Sequence, residues 1–119
     1  MIFKDEQHKT RYFKLLNQMK EQDSYHRSAA YLMALADLHT EDVFDFKKDC
    51  IKREGLQKNW QCSSSLKATR LMFNLWNGCT SDEIGNDKNV SCYAVDAIFS
   101  NYSYAPYFLE SIRIQYELI

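Results

Sequence analysis

The spacing of apolar and polar residues predicts helices along most of this chain. Between Ser64 and Gly78, apolar side chains cover most of an ideal helix surface at about 100° per residue, and the polar ones share one narrow stripe. Ser64 or Ser65 can cap the first turn, and Gly78 can end the helix in a left-handed conformation. Because a helix this apolar must be packed on several sides, residues 64–77 are predicted to form a central buried helix.

Two caps and two apolar periods predict a helical hairpin near the start of the chain. Asp5 and Asp23 each precede a segment with apolar residues at helical spacing, and the short connection favours an antiparallel pair. Thr40 is predicted to begin a shorter acidic helix, which ends near Cys50 or Ile51. The first half of the chain should therefore contain three helices.

In the second half of the chain, the helical pattern of apolar residues is interrupted more often than in the first half. Residues 52–63 have no sustained period, and the large apolar Leu56 and Trp60 are expected to anchor this connection to the core. Ser91 can cap a short helix. Pro106 suits the first position of a last helix, because its missing N–H would have no intrahelical partner there.

The apolar residues of the last helix do not share one side. They form two faces, one with Phe108, Leu109, Ile112 and Tyr116 and the other with Tyr107, Ile114 and Leu118. One face can be buried in the core, and the other needs a further neighbour or a partner chain. We therefore expect this helix to be partly available for association, with a homodimer as one outcome.

Composition narrows the fold and the class of partner. The 119 residues leave room for one domain over 1–119, and 45% apolar content with three glycines and one proline favours an all-α, compact single-domain bundle of five or six helices. The formal charge of −1 provides no basic field for nucleic acid or anionic lipid. The charged first residues do not resemble a signal peptide, and no apolar run approaches the roughly twenty residues that span a bilayer. A cytoplasmic protein without a membrane partner is expected.

Two groups of side chains are candidates for partner binding. The first lies on the polar stripe of the central helix and comprises Arg70, Asn74 and Asn77. A guanidinium and two amides in line can bind a carboxylate, a phosphate or backbone groups of another protein, although they can equally be solvated or satisfy nearby loop carbonyls. The second group is aromatic and lies near the start of the last helix; it comprises Tyr102, Tyr104 and Tyr107. Tyrosines are good interaction anchors, and packing into the core is the alternative.

Candidate catalytic and metal-binding residues are less convincing. His8 lies on the apolar edge of its helix and is expected to be packed and hydrogen-bonded, and His26 stands beside Arg27, which disfavours a charged or metal-binding imidazole. The four cysteines contain no C-x-x-C pair and are expected to be reduced thiols; they are Cys50, Cys62, Cys79 and Cys92. Three acids are predicted to share one helix face, where a metal site is the alternative to a solvated surface; they are Asp42, Asp45 and Asp49. No catalytic residue, metal or cofactor is predicted, and the protein is not expected to be an enzyme.

Several stretches of the chain resemble one protein family. They are M-I-F-K-D-E-Q-H-K, D-V-F-D-F, D-C-I-K-R-E-G-L, T-R-L-M-F-N-L-W-N-G and Y-A-P-Y-F-L-E-S-I. Together they are similar to a small uncharacterised family of Firmicutes, often carried by phages, plasmids and other mobile elements. The likeness runs from Met1 to Tyr116 and is weakest between Asp82 and Asn89. It implies a genomic setting in which small proteins frequently bind host proteins, including defence nucleases, and it implies no activity for any residue.

These observations favour a small cytosolic protein-binding module from a mobile element. The specific hypothesis is a non-enzymatic, anti-CRISPR-like inhibitor that occludes a host defence nuclease. The alternative is a small nucleic-acid-binding regulator that uses Lys67, Arg70 and the basic residues of the first helix. Such binding would weaken steeply with salt. An enzyme would require the acidic residues or a histidine to line a shared cleft.

Overall fold

The first two helices begin at the predicted caps. Asp5 accepts the backbone N–H of His8 at 2.8 Å, and Asp23 accepts that of His26 at 3.0 Å. The computed structural model describes residues 1–82, 90–100 and 103–118. In these ranges α1 spans Glu6–Gln18 and α2 spans Ser24–Leu35, and the two helices pack against each other.

The predicted all-α class is confirmed. The remaining helices of the described ranges are α3 (Thr40–Val43), α4 (Ser63–Asn77), α5 (Val95–Ile98) and α6 (Ala105–Tyr116). Two 3₁₀ turns at Arg53–Gln57 and Val90–Tyr93 and a hairpin of β1 (Phe44–Asp45) with β2 (Cys50–Ile51) complete the described structure. None of the helices described is long and apolar enough to cross a lipid bilayer.

The helix buried on all sides is α2, whereas the sequence pattern assigned this position to residues 64–77. Every residue of 28–35 is buried, and α2 packs against α1, α4 and α6. Three alanines, Ala29, Ala30 and Ala34, allow neighbouring helices to approach closely. Small side chains contribute little to an apolar pattern. The larger apolar residues of 64–77 give a stronger pattern, so the central buried helix was predicted there.

The α4 helix forms where predicted, but its first turn is built differently. Cys62, not Ser64 or Ser65, occupies the cap position, and its backbone N–H donates to Ser65 Oγ at 2.8 Å. The helix ends at Gly78 with a φ of 78°, as predicted. Its inward face buries Ala68, Leu71, Met72 and Phe73, and its other positions are mostly half-buried.

The acidic helix predicted from Thr40 stops after one turn, and the prediction that it reaches Cys50 or Ile51 is wrong. Phe44 is buried and pairs with Ile51 in an antiparallel hairpin. Asp45 Oδ1 accepts the backbone N–H groups of Lys47 and Lys48 at 2.9 and 3.0 Å, which closes a turn in place of a helix.

The connection after the hairpin is anchored as predicted. Leu56 is buried, and the half-buried Trp60 donates from Nε1 to Asp42 Oδ2 at 2.8 Å. The indole also stacks on His39 with ring centroids 4.5 Å apart. Beyond α4, α5 begins at Val95 with Ala94 in the cap position, whereas the predicted cap was Ser91. Pro106 lies at the second position of α6, one residue after the predicted first position, because the helix begins at Ala105.

Candidate functional site

The α6 helix presents polar side chains to the core. Ser28 Oγ donates to Ser111 O at 3.0 Å, and Ser111 Oγ donates to Phe108 O at 2.6 Å. Gln115 Nε2 donates to Leu75 O at 3.1 Å. Most of these buried groups are hydrogen-bonded, as buried polar groups usually are, and the exception in this set is Gln115 Oε1, which has no partner among the described residues.

Glu110 is the charged member of this inward face and is only 4% exposed. Its carboxylate accepts the backbone N–H of Ile2 at 3.2 Å and a guanidinium hydrogen of Arg113 at 2.7 Å. The charge is therefore both paired and hydrogen-bonded. Arg113 and Glu117 follow Glu110 at helical spacing, but both are exposed, so only Glu110 of the three lies inside the protein.

The outward face of α6 carries three apolar side chains beside the exposed Arg113. Leu109 is 56% exposed, Tyr116 is 64% exposed, and the half-buried Ile112 lies between them. Spacings of three and four residues place these side chains on one side of the helix. We call Leu109, Ile112 and Tyr116 the α6 stripe. The predicted apolar faces are thus divided differently, because Phe108 turns inward with Ile114 and leaves the α6 stripe outside.

A shallow groove of about 370 Å³ lies at the end of α6. Its lining residues are Met1, Arg27, Glu110, Arg113, Ile114, Glu117 and Leu118. The two arginines are paired within the groove, since Arg27 lies 3.2 Å from Glu117 and Arg113 lies 2.7 Å from Glu110. Apolar area with paired charges around it is typical of protein interfaces rather than of catalytic clefts.

The predicted polar stripe of α4 binds the segment that follows the helix. Arg70 donates from Nε and Nη2 to the two oxygens of Asp82 at 3.2 and 2.8 Å, and Tyr93 Oη donates to Asp82 Oδ1 at 2.8 Å. Burial opposes ionisation of Asp82, but these hydrogen bonds lower its pKa below the usual range. The hydrogen bonding between Arg70 and Asp82 also raises the pKa of Arg70. Arg70 is therefore a buried structural partner of Asp82.

The two asparagines of that stripe also act locally. Asn74 Nδ2 donates to Cys79 O at 3.0 Å, and Asn77 Oδ1 accepts from Cys79 Sγ at 2.8 Å. The Asn74 bond matches the predicted alternative to partner binding, in which a polar side chain satisfies a nearby loop carbonyl. Asn77 is exposed and Asn74 is half-buried.

The predicted tyrosine group packs largely against the core. Tyr104 and Tyr107 are both half-buried, and the Tyr104 ring lies 5.8 Å from that of Phe108. The Tyr107 ring lies 6.3 Å from that of His8. Tyr102 lies outside the described residues. The most exposed tyrosine of α6 is Tyr116. The apolar pattern predicts it on one face with Phe108, which is buried.

The two buried histidines have pKa values shifted in opposite directions. His8 is fully buried, accepts Lys4 N–H at Nδ1 and faces Tyr31 O from Nε2 at 3.0 Å, so the neutral ring satisfies both contacts. Burial lowers its pKa, and the predicted packed histidine is confirmed. His26 faces Asp23 and Asp49, and although burial opposes its charge, these carboxylates raise its pKa.

The expectation that Arg27 keeps His26 uncharged is therefore wrong. The Arg27 guanidinium turns away, to Gln22 O and Glu117. Asp23 lies three residues before His26 and is the predicted cap of the same helix, whereas Asp49 comes from the hairpin loop and could not be recognised by helical spacing.

The predicted acidic face does not form. Asp42 binds Trp60, Asp45 closes the hairpin turn, and Asp49 binds His26. Another group, Glu21, Asp23 and His26, brings three potential ligand atoms within 4.8 Å of one another. However, His26 Nδ1 and Asp23 Oδ1 are 2.6 Å apart, which is a hydrogen-bond distance and shorter than the spacing of two ligands around one cation. We assign no metal to this group.

Comparison with known proteins identifies the family of this chain but assigns no activity to it. No curated protein and no solved structure is significantly similar to the chain. A family model described as a family of unknown function, DUF6075, matches residues 1–118, which is nearly the whole chain. The protein belongs to the DUF6075 family.

Proposed function

We propose that this protein is a non-enzymatic, cytoplasmic protein-binding module that docks through the α6 stripe. The observation that carries the proposal is the orientation of α6. Glu110, Ser111 and Gln115 face the core while Leu109 and Tyr116 face outward. A helix stabilised only by its own domain would bury those apolar side chains instead. A partner that covers them removes this conflict.

The α6 stripe has the spacing of a helical docking surface. Anchors at positions i, i+3 and i+7 are what a complementary groove or helix receives, and here they are Leu109, Ile112 and Tyr116. Burying one large apolar side chain contributes about 1.5 to 3 kcal/mol. Tyrosine is also a frequent hot-spot residue, because it joins a large contact area to a polar tip.

The proposed partner is a host protein, and a defence nuclease is the specific case. Support comes from the sequence resemblance to proteins carried by phages, plasmids and other mobile elements, in which an anti-CRISPR-like inhibitor would act by occlusion. The nucleic-acid alternative has less support. Arg70 is paired with Asp82, and Arg11 is held by Ala34 O at 2.8 Å and Asp37 at 3.5 Å. These cations are engaged within the fold.

The test compares capture of host proteins by three forms of the chain. In the first variant, Leu109→Gln and Tyr116→Gln remove the two exposed anchors while keeping residues that support a helix. The control is Val95→Gln, which removes an apolar side chain that is 75% exposed on α5. All three should unfold at similar denaturant concentrations, since surface substitutions usually change stability by less than about 0.5 kcal/mol.

We expect a specific bacterial protein to be retained by the natural chain and by the Val95 variant. The double variant should bind it at least about tenfold more weakly, because each hot-spot anchor is worth more than about 1 kcal/mol. Equal capture by all three forms would contradict the proposal. Light scattering identifies the case in which the partner is a second copy. A low-salt DNA shift that disappears with added salt would favour the nucleic-acid alternative.

A further inference from the structure

His26 lies between two carboxylates from different parts of the chain. The side chain is 5% exposed. Its Nδ1 lies 2.6 Å from Asp23 Oδ1, and its Nε2 lies 2.9 and 2.8 Å from the two oxygens of Asp49. An ionised carboxylate only accepts hydrogen bonds, so both ring nitrogens must donate. This geometry fits the imidazolium form of His26.

The hairpin loop is shaped so that Asp49 reaches His26. Asp45 holds the turn through the N–H groups of Lys47 and Lys48, and Asp49 N–H donates back to Asp45 O at 2.7 Å. Asp49 itself has a φ of 58°, in the left-handed region. Aspartate and asparagine tolerate this conformation better than most residues. The loop from Asp45 to Asp49 is thus bound to the start of α2 through one side chain.

Other groups around His26 do not replace this contact. From α4, the uncharged Trp76 ring packs against the imidazole at 4.9 Å. Glu21 stands beside Asp23 and adds negative charge on that side. Lys20 Nζ donates to Lys47 O at 2.5 Å, and Arg27 turns to Gln22 O. The positive charge that neutralises Asp23 and Asp49 at their point of approach is therefore on His26.

We propose that His26 is a protonation switch that binds the Asp45–Asp49 loop to the start of α2 and releases it when the ring loses a proton. A neutral imidazole has one donor and can satisfy one of the two carboxylates. Asp23 is also the cap of α2 and accepts the backbone N–H of His26. Asp23 therefore stays in place and keeps the remaining N–H of the ring, on Nδ1. The lone pair of Nε2 then faces the Asp49 carboxylate, which can no longer accept a hydrogen bond from it and moves away with the loop.

The direction of the pH effect follows from linkage. The hydrogen bonds to Asp23 and Asp49 raise the pKa of His26 above its ordinary 6.5 in the folded protein. The contribution of this contact to stability is complete below pH 6.5, and it is lost as pH rises through the folded-state pKa. His8 acts with the opposite sign, since its lowered pKa removes stability as pH falls below 6.5. A local measurement is therefore needed to separate the two histidines.

The experiment follows the His26 ring and the loop amides of the full chain by NMR from pH 5 to pH 9, with a chelator present. His26 should titrate above 6.5. Over the same range, the hydrogen-exchange protection factor of the Asp49 amide should fall about tenfold, as expected when a charge-assisted hydrogen bond is lost. A His26 that titrates at or below 6.5, or an Asp49 amide whose protection stays constant, would overturn the switch.

Two variants and a control isolate the contact. Asp49→Asn keeps the size and tolerates the left-handed backbone but removes the charge, so it should lower the pKa of His26 and leave the loop weakly protected at every pH. His26→Gln should make the protection factor independent of pH. The control is Asp37→Asn, which changes another aspartate with a positive φ, of 50°. It should leave the His26 titration unchanged; an equal shift in this variant would contradict a specific role for Asp49.

Discussion

Replacing Asp82 with alanine is expected to lower the free energy of unfolding by about 3 to 5 kcal/mol. The Asp82 side chain is only 6% exposed and accepts hydrogen bonds from Arg70 and Tyr93. Its removal leaves the guanidinium of Arg70, itself 16% exposed, without a counter-ion. Urea unfolding followed by circular dichroism measures the change.

Two further variants separate the lost charge pair from the lost side chain. Asp82→Asn keeps an acceptor for Tyr93 and should cost less than Asp82→Ala. When Arg70→Met is combined with Asp82→Ala, the double variant should be more stable than Asp82→Ala alone, because no unpaired buried charge remains. The stability losses of Arg70→Met alone and Asp82→Ala alone should not add in the double variant. If they do add, the Arg70–Asp82 pair does not stabilise the segment that follows α4.

Gly55→Ala is expected to cost about 3 kcal/mol, at the upper end of overpacking effects. A Cβ at this position would overlap Asp42 O and would lie 2.7 Å from Val43 Cγ1. Neither neighbour can move freely, since Asp42 O is backbone in α3 and Val43 is fully buried. The same urea titration measures the loss, and a midpoint that matches the natural chain would show that this 3₁₀ turn can shift outward.

The matched control is Gly78→Ala. Gly78 has a φ of 78°, but a Cβ there would meet no atom within 4 Å. Its cost is therefore the backbone strain of a left-handed residue alone, about 1 kcal/mol. We expect Gly55→Ala to be clearly the more destabilising of the two, although only Gly78 has an unusual backbone angle.

The sequence predicted those features that depend on neighbouring residues. Asp5 and Asp23 cap the helices that they precede, and Gly78 ends α4 in the expected conformation. Capping bonds join residues three positions apart, and a left-handed end depends on one residue. Such features are determined within a single turn of the chain, so the residues alone specify them.

Candidate site residues were harder to recognise from the sequence. Arg70, Asn74 and Asn77 were correctly grouped, but their contacts with Asp82 and Cys79 depend on the path of the chain after Gly78. Leu109 and Tyr116, which are exposed, were grouped with the buried Phe108 on one face, because an apolar spacing does not tell which side of a helix faces inward. In this orientation of α6, Glu110 and Gln115 bond to the distant segments at Ile2 and Leu75, and Phe108 and Ile114 are buried.

By itself, the sequence determined that this protein is helical, where the first two helices begin and α4 ends, and which family it belongs to. Tertiary structure decided that α2 is the most buried helix, that the chain after Val43 forms a hairpin, and that His26 lies between Asp23 and Asp49. The physical reason is the range of the interactions. Caps and helical periods act over three or four residues, whereas the hairpin pairing, the packing around α2 and the His26–Asp49 contact join residues that are farther apart in the chain.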